Sequence, residues 1–132
     1  KAACPNSATN SVDKCSALGD GNRPPGIEQI EDVRAFQGEV EGRIVGYVYA
    51  GLEPMSWKEL RGPAGFIHDV MVDPAAQGSG AGSALVLAAI AWLRERGAPR
   101  IVLWTAERNA SAQRLFTRLG FRPTMMEMTR EL

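Results

Sequence analysis

The chain has 132 residues, a formal net charge of zero and a hydrophobic fraction of 45%. This length is enough for one domain with a buried core but not for two. No apolar run reaches the roughly 18 residues of a membrane span, and no secretory signal is visible. This is the composition of a globular protein, and we expect a cytoplasmic protein that binds neither nucleic acid nor membrane.

The first 33 residues are the least regular part of the chain. Residues 1–26 are rich in Ser, Asn, Gly and Pro and predict a loop or irregular arm. Ile27, Ile30 and Val33 then suggest a short helix. Cys4 and Cys15 lie in the arm without metal-ligand spacing, so we expect no metal site, and we favour free thiols over a local disulfide. The sequence thus predicts an irregular arm over 1–33 and a domain over 34–132.

The next segment predicts three strands. Residues 33–53 form two of them around a turn at Glu41–Gly42, because Val, Ile and Tyr dominate both flanks. Pro and Gly mark a loop over 53–64. GFIHDVMV, residues 65–72, is the third strand, and Asp73–Pro74 stops it.

The second half alternates helices and strands. Residues 83–96 have apolar side chains at helical spacing, with Gly97 as the C-cap. RIVLWT, residues 100–105, predicts a fourth strand. Residues 109–120 predict a helix with Asn109 as N-cap, and residues 124–132 predict a last strand. The whole pattern indicates an α/β fold.

Three alternating glycines, Gly78, Gly80 and Gly82, lie between a predicted strand and a predicted helix. Free N–H groups and the helix dipole make such a helix start a site for phosphate, and Ser79 and Ser83 add hydroxyl donors. We therefore expect valine at Gly80 or Gly82 to displace the phosphate with little effect on the fold. No lysine follows as in a P-loop, and the spacing does not fit the dinucleotide fingerprint.

The loop QGSGAG, residues 77–82, matches the Q/R-x-x-G-x-G/A loop of the GCN5-related N-acetyltransferase (GNAT) family. EVEGRIVGYV, VMVDP and WTAERNASAQRLFTRLGF resemble that family's second and third strands, its fourth strand, and its fifth strand with the following helix. The resemblance covers about residues 34–132, and it implies that the arm over 1–33 would be a reduced form of the family's acceptor-site region. It implies a single α/β domain with a mixed, mostly antiparallel central sheet and flanking helices. It also implies acetyl-CoA as cosubstrate and direct acetyl transfer to a primary amine on a small molecule or peptide; a homodimer is left open.

The resemblance also implies where coenzyme A binds. The pantetheine arm would lie on the strand before the loop, and the pyrophosphate on the loop and the helix start. Asn109 matches an asparagine that often contacts the arm, although a plain N-cap role stays open. The cofactor-binding residues implied are Val70, Met71, Val72, Gln77, Gly78, Ser79, Gly80, Ala81, Gly82, Ser83, Asn109 and Phe116.

His68 is the candidate general base, because it is the only histidine of the chain and has an ordinary pKa near neutrality. Strand parity would point it to the face of Val70 and Val72, and arylalkylamine N-acetyltransferases, a branch of the GNAT family, carry a histidine at the matching position. A structural histidine is the alternative. The glutamate that serves the histone-modifying branch is replaced here by Phe66.

No general acid is evident. Phe116 replaces the tyrosine of many members, but a thiol with a pKa near 8.5 can leave as a thiolate; Tyr47, Tyr49 or water are open substitutes. A non-catalytic acyl-CoA-binding module is the alternative function, and a partner domain whose glycines only form a turn is a further one. The acidic residues Glu28, Glu53, Glu59 and Asp69 would favour a cationic acceptor; solvated loop charges without a role in binding are the alternative.

Overall fold

The computed structural model describes residues 14–17 and 32–132. Its strands form one sheet in the order β1-β2-β3-β4-β5. The strands β1 to β4 pair antiparallel, and β5 pairs parallel to β4. The elements are β1 (Lys14–Ala17), β2 (Asp32–Val40), β3 (Arg43–Glu53), β4 (Ala64–Val72), a 3-10 turn (Pro74–Ala76), α1 (Ala81–Glu95), β5 (Ile101–Leu103) and α2 (Ala110–Arg118). This mixed, mostly antiparallel sheet with flanking helices confirms the predicted fold class.

The core lies between the sheet and α1. Alanines at four positions of α1 are buried, which lets the helix approach the sheet closely. Leu85 and Leu93 of the same helix are fully buried against the sheet. Val48 and Ala50 of β3 and Ile67 of β4 complete the centre of this cluster. Removing these apolar surfaces from water is the main contribution to stability, and it fixes α1 across the strands that carry the site.

Several local predictions are confirmed. The turn between β2 and β3 is at Glu41–Gly42, and both residues have the positive φ angles, 50° and 76°, of a tight hairpin turn. Asn109 caps α2 by accepting a hydrogen bond from the Ala112 amide at 3.1 Å. Gly97, just after α1, has the left-handed φ of a helix end.

Two predictions about regular structure are wrong. Residues 119–132 contain no strand, and Met125, Met126 and Met128 are largely exposed; a strand needs a neighbouring strand to take its hydrogen bonds, and Met125–Met126 interrupts the alternation of a half-buried strand. Val33 lies in β2, as the strand prediction over 33–53 has it, and not in the short helix that was expected to include it.

The predicted arm also contains an element that local sequence did not indicate. Lys14–Ala17 forms β1 and pairs with residues 36–39 of β2. Ile27, Ile30 and Cys4 lie outside the described residues, and the division at residue 33 remains a prediction. Among the described helices, none is long and apolar enough to cross a bilayer.

Candidate active site

The two parallel strands β4 and β5 stay together over only three residue pairs. Gly65 pairs with Ile101, Phe66 with Val102 and Ile67 with Leu103. Beyond this point β5 ends, while β4 continues to Val72. Residues 68–72 of β4 therefore have β3 on one side and an opening on the side where β5 has ended.

The peptide groups that face this opening follow from the hydrogen bonds to β3. Asp73 donates its backbone N–H to the Val45 carbonyl at 2.7 Å. Because bonded and non-bonded positions alternate in an antiparallel pair, Met71 also directs its peptide groups to β3, while Val70 and Val72 direct theirs to the opening. The Gln77 side chain reaches the Val72 carbonyl on that side at 3.4 Å. The opening thus offers the peptide groups of Val70 and Val72, and not those of Met71.

The glycine loop leads from this edge to the start of α1. Gly78 and Gly80 have left-handed φ angles of 81° and 92°, which glycine adopts without strain. Gly80 is the N-cap of α1 and supplies no side-chain cap, and the first turn of α1 contains no acidic residue. A Cβ built at Gly78 meets nothing within 4 Å. The first turn, which includes Ser83, therefore presents N–H groups and the positive end of the helix dipole without a competing carboxylate.

Other residues of the loop have structural roles. A Cβ at Gly82 would lie 3.2 Å from Leu115 Cδ2 and 3.7 Å from Val72 Cγ2, so Gly82 allows α1 to pack against α2 and β4. Ala81 is buried, and the Ser79 hydroxyl donates to the Ala76 carbonyl. This packing argues against the expectation that valine at Gly82 would spare the fold, because the space left by the missing side chain is filled by a neighbouring helix.

The helix α2 lies beside the loop through Leu115. Its Phe116 is half-buried, packs against the main core and meets Phe121 edge-on at 5.9 Å between ring centroids. Its N-cap Asn109 uses the side-chain oxygen for the Ala112 amide, which leaves the other end of the amide group for a ligand. Both residues stay predictions as cofactor contacts.

His68 lies at a bulge in β4. Tyr49 pairs with Asp69 and Ala50 with Ile67, so His68 is an extra residue between two pairs. Ile67 and Val70 both pack toward α1, whereas the His68 ring stacks on Phe66 at 4.8 Å with an interplanar angle of 22°. His68 therefore lies on the opposite face from Val70 and Val72. The parity prediction is wrong because the bulge shifts the alternation by one residue.

On that opposite face, a pocket of about 230 Å³ contains His68 together with charged and aromatic groups. Arg61 binds Glu53 at 3.3 Å and Glu59 at 2.8 Å, and its side chain is only 9% exposed. Its guanidinium lies 5.1 Å from the Phe66 ring centroid. With His68 neutral, two carboxylates and one guanidinium give the pocket a net charge of −1. The lining residues are Glu53, Glu59, Arg61, Phe66, His68 and Trp104.

The pocket also sets the protonation of His68. Burial lowers the pKa of His68 below its ordinary value, and Arg61 lowers it further, while Glu53 opposes both. The lowered pKa favours the neutral imidazole at pH 7, which is the state that a proton acceptor requires. Its Nε2 atom is 3.4 Å from Glu53 Oε1.

Tyr47, one of the open candidates for the acid, is engaged elsewhere. Its hydroxyl donates to Asp69 Oδ2 at 2.8 Å. This hydrogen bond raises the pKa of Tyr47, and burial adds to the effect. Tyr49 meets Tyr47 edge-on at 5.4 Å between ring centroids. Sequence reasoning missed Arg61 and Trp104 because nothing near them in the chain indicates the pocket that the fold assembles.

The comparisons with known proteins agree with this geometry. The sequence matches the acetyltransferase (GNAT) family over residues 12–121. A mycothiol acetyltransferase from Saccharomonospora viridis is 40% identical over 82 residues, which cover 61% of this chain and 27% of that protein. Another mycothiol acetyltransferase, from Amycolatopsis mediterranei, is 35% identical over 115 residues, which cover 77% of this chain and 38% of that protein. The chain spans about a third of the length of these curated relatives.

The fold is also that of a solved acetyltransferase. The structure of the aminoglycoside N-acetyltransferase AAC(6')-Iy in complex with CoA has a TM-score of 0.74 to this chain at 17% identity, with coverage of 90% of this chain and 98% of that chain. At this identity the likeness concerns the fold alone. The match over residues 12–121, which includes the glycine loop and both described helices, shows that the chain belongs to the GNAT acetyltransferase family.

Proposed function

We propose that this domain is an acetyl-CoA-dependent N-acetyltransferase that moves the acetyl group directly to an amine held in the pocket around His68. The observation that carries this proposal is the course of β4 beyond the end of β5. The peptide groups of Val70 and the N–H of Val72 face the opening on this stretch. The glycine loop then leads to a helix start at Gly80 that has no side-chain cap, and His68 lies on the other face of the same strand.

The chemistry of coenzyme A fits the opening beside β4 and the glycine loop that follows it. Its pantetheine arm contains two amides, which pair with the free edge of β4 as an added strand would. Its pyrophosphate suits the loop of residues 77–83, where N–H groups and the helix dipole favour an anion. The side-chain nitrogen of Asn109 supplies a further donor near the start of α2. Among the described residues, no group of three or more potential ligands would hold a metal.

Acetyl transfer then needs a proton acceptor and a site for the developing oxyanion. The lone pair of the amine attacks the thioester carbon and forms the C–N bond, while the carbonyl electron pair moves to oxygen, where a free N–H of β4 stabilises it. His68 takes the amine proton. Collapse breaks the C–S bond and the thiolate leaves. The thiolate takes a proton from solvent, and His68 releases the amine proton to solvent, so that the overall reaction gives the amide and the free thiol. This route needs no acid from the protein, in agreement with phenylalanine at position 116.

The pocket charge favours a cationic acceptor. One relative is a mycothiol acetyltransferase by name, and a solved structure of the same fold is an aminoglycoside N-acetyltransferase; we propose a small cationic amine as the acceptor here. A panel of aminoglycosides, polyamines, small amines and peptides, assayed for thiol release from acetyl-CoA, tests this. At least one amine is expected to accelerate release.

A non-catalytic acyl-CoA-binding module is the second candidate, because position 116 holds phenylalanine in place of a tyrosine that could act as the general acid. Calorimetric titration with coenzyme A, done alongside the panel, separates the two. Binding without any amine-dependent thiol release would support the module, and no binding at all would reject both.

A further inference from the structure

We infer that Glu53 is a positioning residue that holds the His68 imidazole with its proton on Nε2, which leaves Nδ1 as the atom that accepts the proton of the acceptor amine. The pairing itself is a statement about geometry. Only the use of Nδ1 in catalysis rests on the proposed function.

The surroundings of Nε2 carry this inference. The atom is buried and has no aligned hydrogen-bond partner within the described part of the chain, and Glu53 Oε1 is 3.4 Å away. A lone pair on Nε2 would face the negative carboxylate across this distance, which is unfavourable in a buried setting. A proton on Nε2 turns the same contact into an attraction and leaves the lone pair on Nδ1.

Both members of the pair are held in place by other residues. Stacking on Phe66 fixes the plane of the His68 ring. Arg61 binds the other carboxylate oxygen of Glu53 at 3.3 Å, and the backbone of Arg61 is itself tied to Ser56 by two hydrogen bonds of 2.8 and 2.9 Å. Glu53 therefore approaches His68 with only a small loss of side-chain freedom, since Arg61 has already ordered it.

The other charged groups around His68 are engaged with different partners. Glu59 of the loop before β4 binds Arg61. Asp69, the next residue of β4, accepts the hydrogen bond of Tyr47 from β3. Arg61 faces both glutamates. Glu53 is thus the carboxylate that pairs with the ring. Glu59 shares Arg61 and forms no recorded ion pair with His68 among the described residues, so it is the matched control.

Nuclear magnetic resonance reads the tautomer directly. The assignment is unambiguous because this 132-residue chain, made without a tag, has a single histidine. Long-range ¹H–¹⁵N spectra are recorded during a pH titration of the wild type, Glu53→Gln and Glu59→Gln. We expect Nε2 to carry the proton in the wild type at neutral pH. We expect the pKa of His68 to fall in Glu53→Gln, which loses the attraction for the imidazolium, and to change little in Glu59→Gln.

A proton on Nδ1 in the wild type, or identical titrations of the two variants, would overturn the inference. The wild-type spectrum decides the tautomer even if Glu53→Gln does not fold, and Glu53→Asp then supplies a charged variant for the titration. In an acetyl-transfer assay Glu53→Gln should lower kcat/KM at neutral pH by about tenfold or more, with a smaller loss in Glu59→Gln. A confirmed tautomer together with no transfer to any amine would refute the proposed function and leave the pairing intact.

Discussion

Within the glycine loop, Gly82 has a packing role. Its missing side chain brings α1 within contact of Leu115 in α2. We expect Gly82→Val to lower the free energy of unfolding by about 1–3 kcal/mol through overpacking, measured by denaturant unfolding.

Gly62→Val is the matched control for this substitution. A Cβ at Gly62 meets nothing within 4 Å and no positive φ is recorded there, so its effect should stay within about 0.5 kcal/mol. Equal losses in the two variants would contradict the packing role of Gly82.

His68 gives stability a dependence on pH. Burial keeps its folded pKa below 6.5, so the unfolded chain binds the imidazole proton at a higher pH than the folded chain does. Stability should therefore be lost as the pH falls from 6.5 through the lowered pKa, with no such effect above 6.5.

Unfolding free energies of the wild type and His68→Gln test this at about pH 7.5 and about pH 5.5. The wild type should lose more stability between the two pH values than His68→Gln, because glutamine does not titrate and other groups are common to both proteins. Parallel losses would mean that His68 has the same pKa in both states.

The start of α1 is the element that we propose binds the pyrophosphate. Gly78→Asp places a carboxylate in the loop two residues before the N-cap Gly80, and Gly78→Asn places an uncharged group of the same shape there. Both residues tolerate a left-handed φ better than most. We expect the aspartate variant to bind coenzyme A at least about tenfold more weakly than the asparagine variant, with a smaller difference at high salt. Calorimetry measures both affinities.

Pantetheine, which has no pyrophosphate, is the control ligand for this pair of variants. The two should bind it alike. If coenzyme A also binds the two variants alike, the pyrophosphate does not lie at this helix start.

The sheet and α1 together determine the stability of the whole molecule. Leu85 is fully buried between them, whereas Ile44 is 56% exposed. Leu85→Ala should cost about 2–5 kcal/mol by leaving a cavity, and Ile44→Ala much less. Thermal and denaturant unfolding compare the two, and a similar small loss in both would contradict the assignment of the core.

Across the whole molecule, the features that could be predicted from the sequence are those that neighbouring residues determine. The turn at Glu41–Gly42, the Asn109 cap and the glycine loop were all found, because turn chemistry, capping and spacing are properties of neighbouring residues. What it could not predict depends on distant pairing. A bulge against β3 turns His68 to the other face, Leu115 fills the space at Gly82, and Arg61 joins Glu53 to Glu59 only once the fold has formed.

The placement of coenzyme A along β4 is the central claim, and residue-resolved amide hydrogen exchange with and without coenzyme A tests it most directly. In the free protein the N–H groups of Val70 and Val72 should exchange rapidly, because they face the opening, and Met71 should exchange slowly. Coenzyme A should slow the exchange of Val70 and Val72 and leave Met71 nearly unchanged. Unchanged exchange at Val70 and Val72 in the saturated complex would contradict the claim.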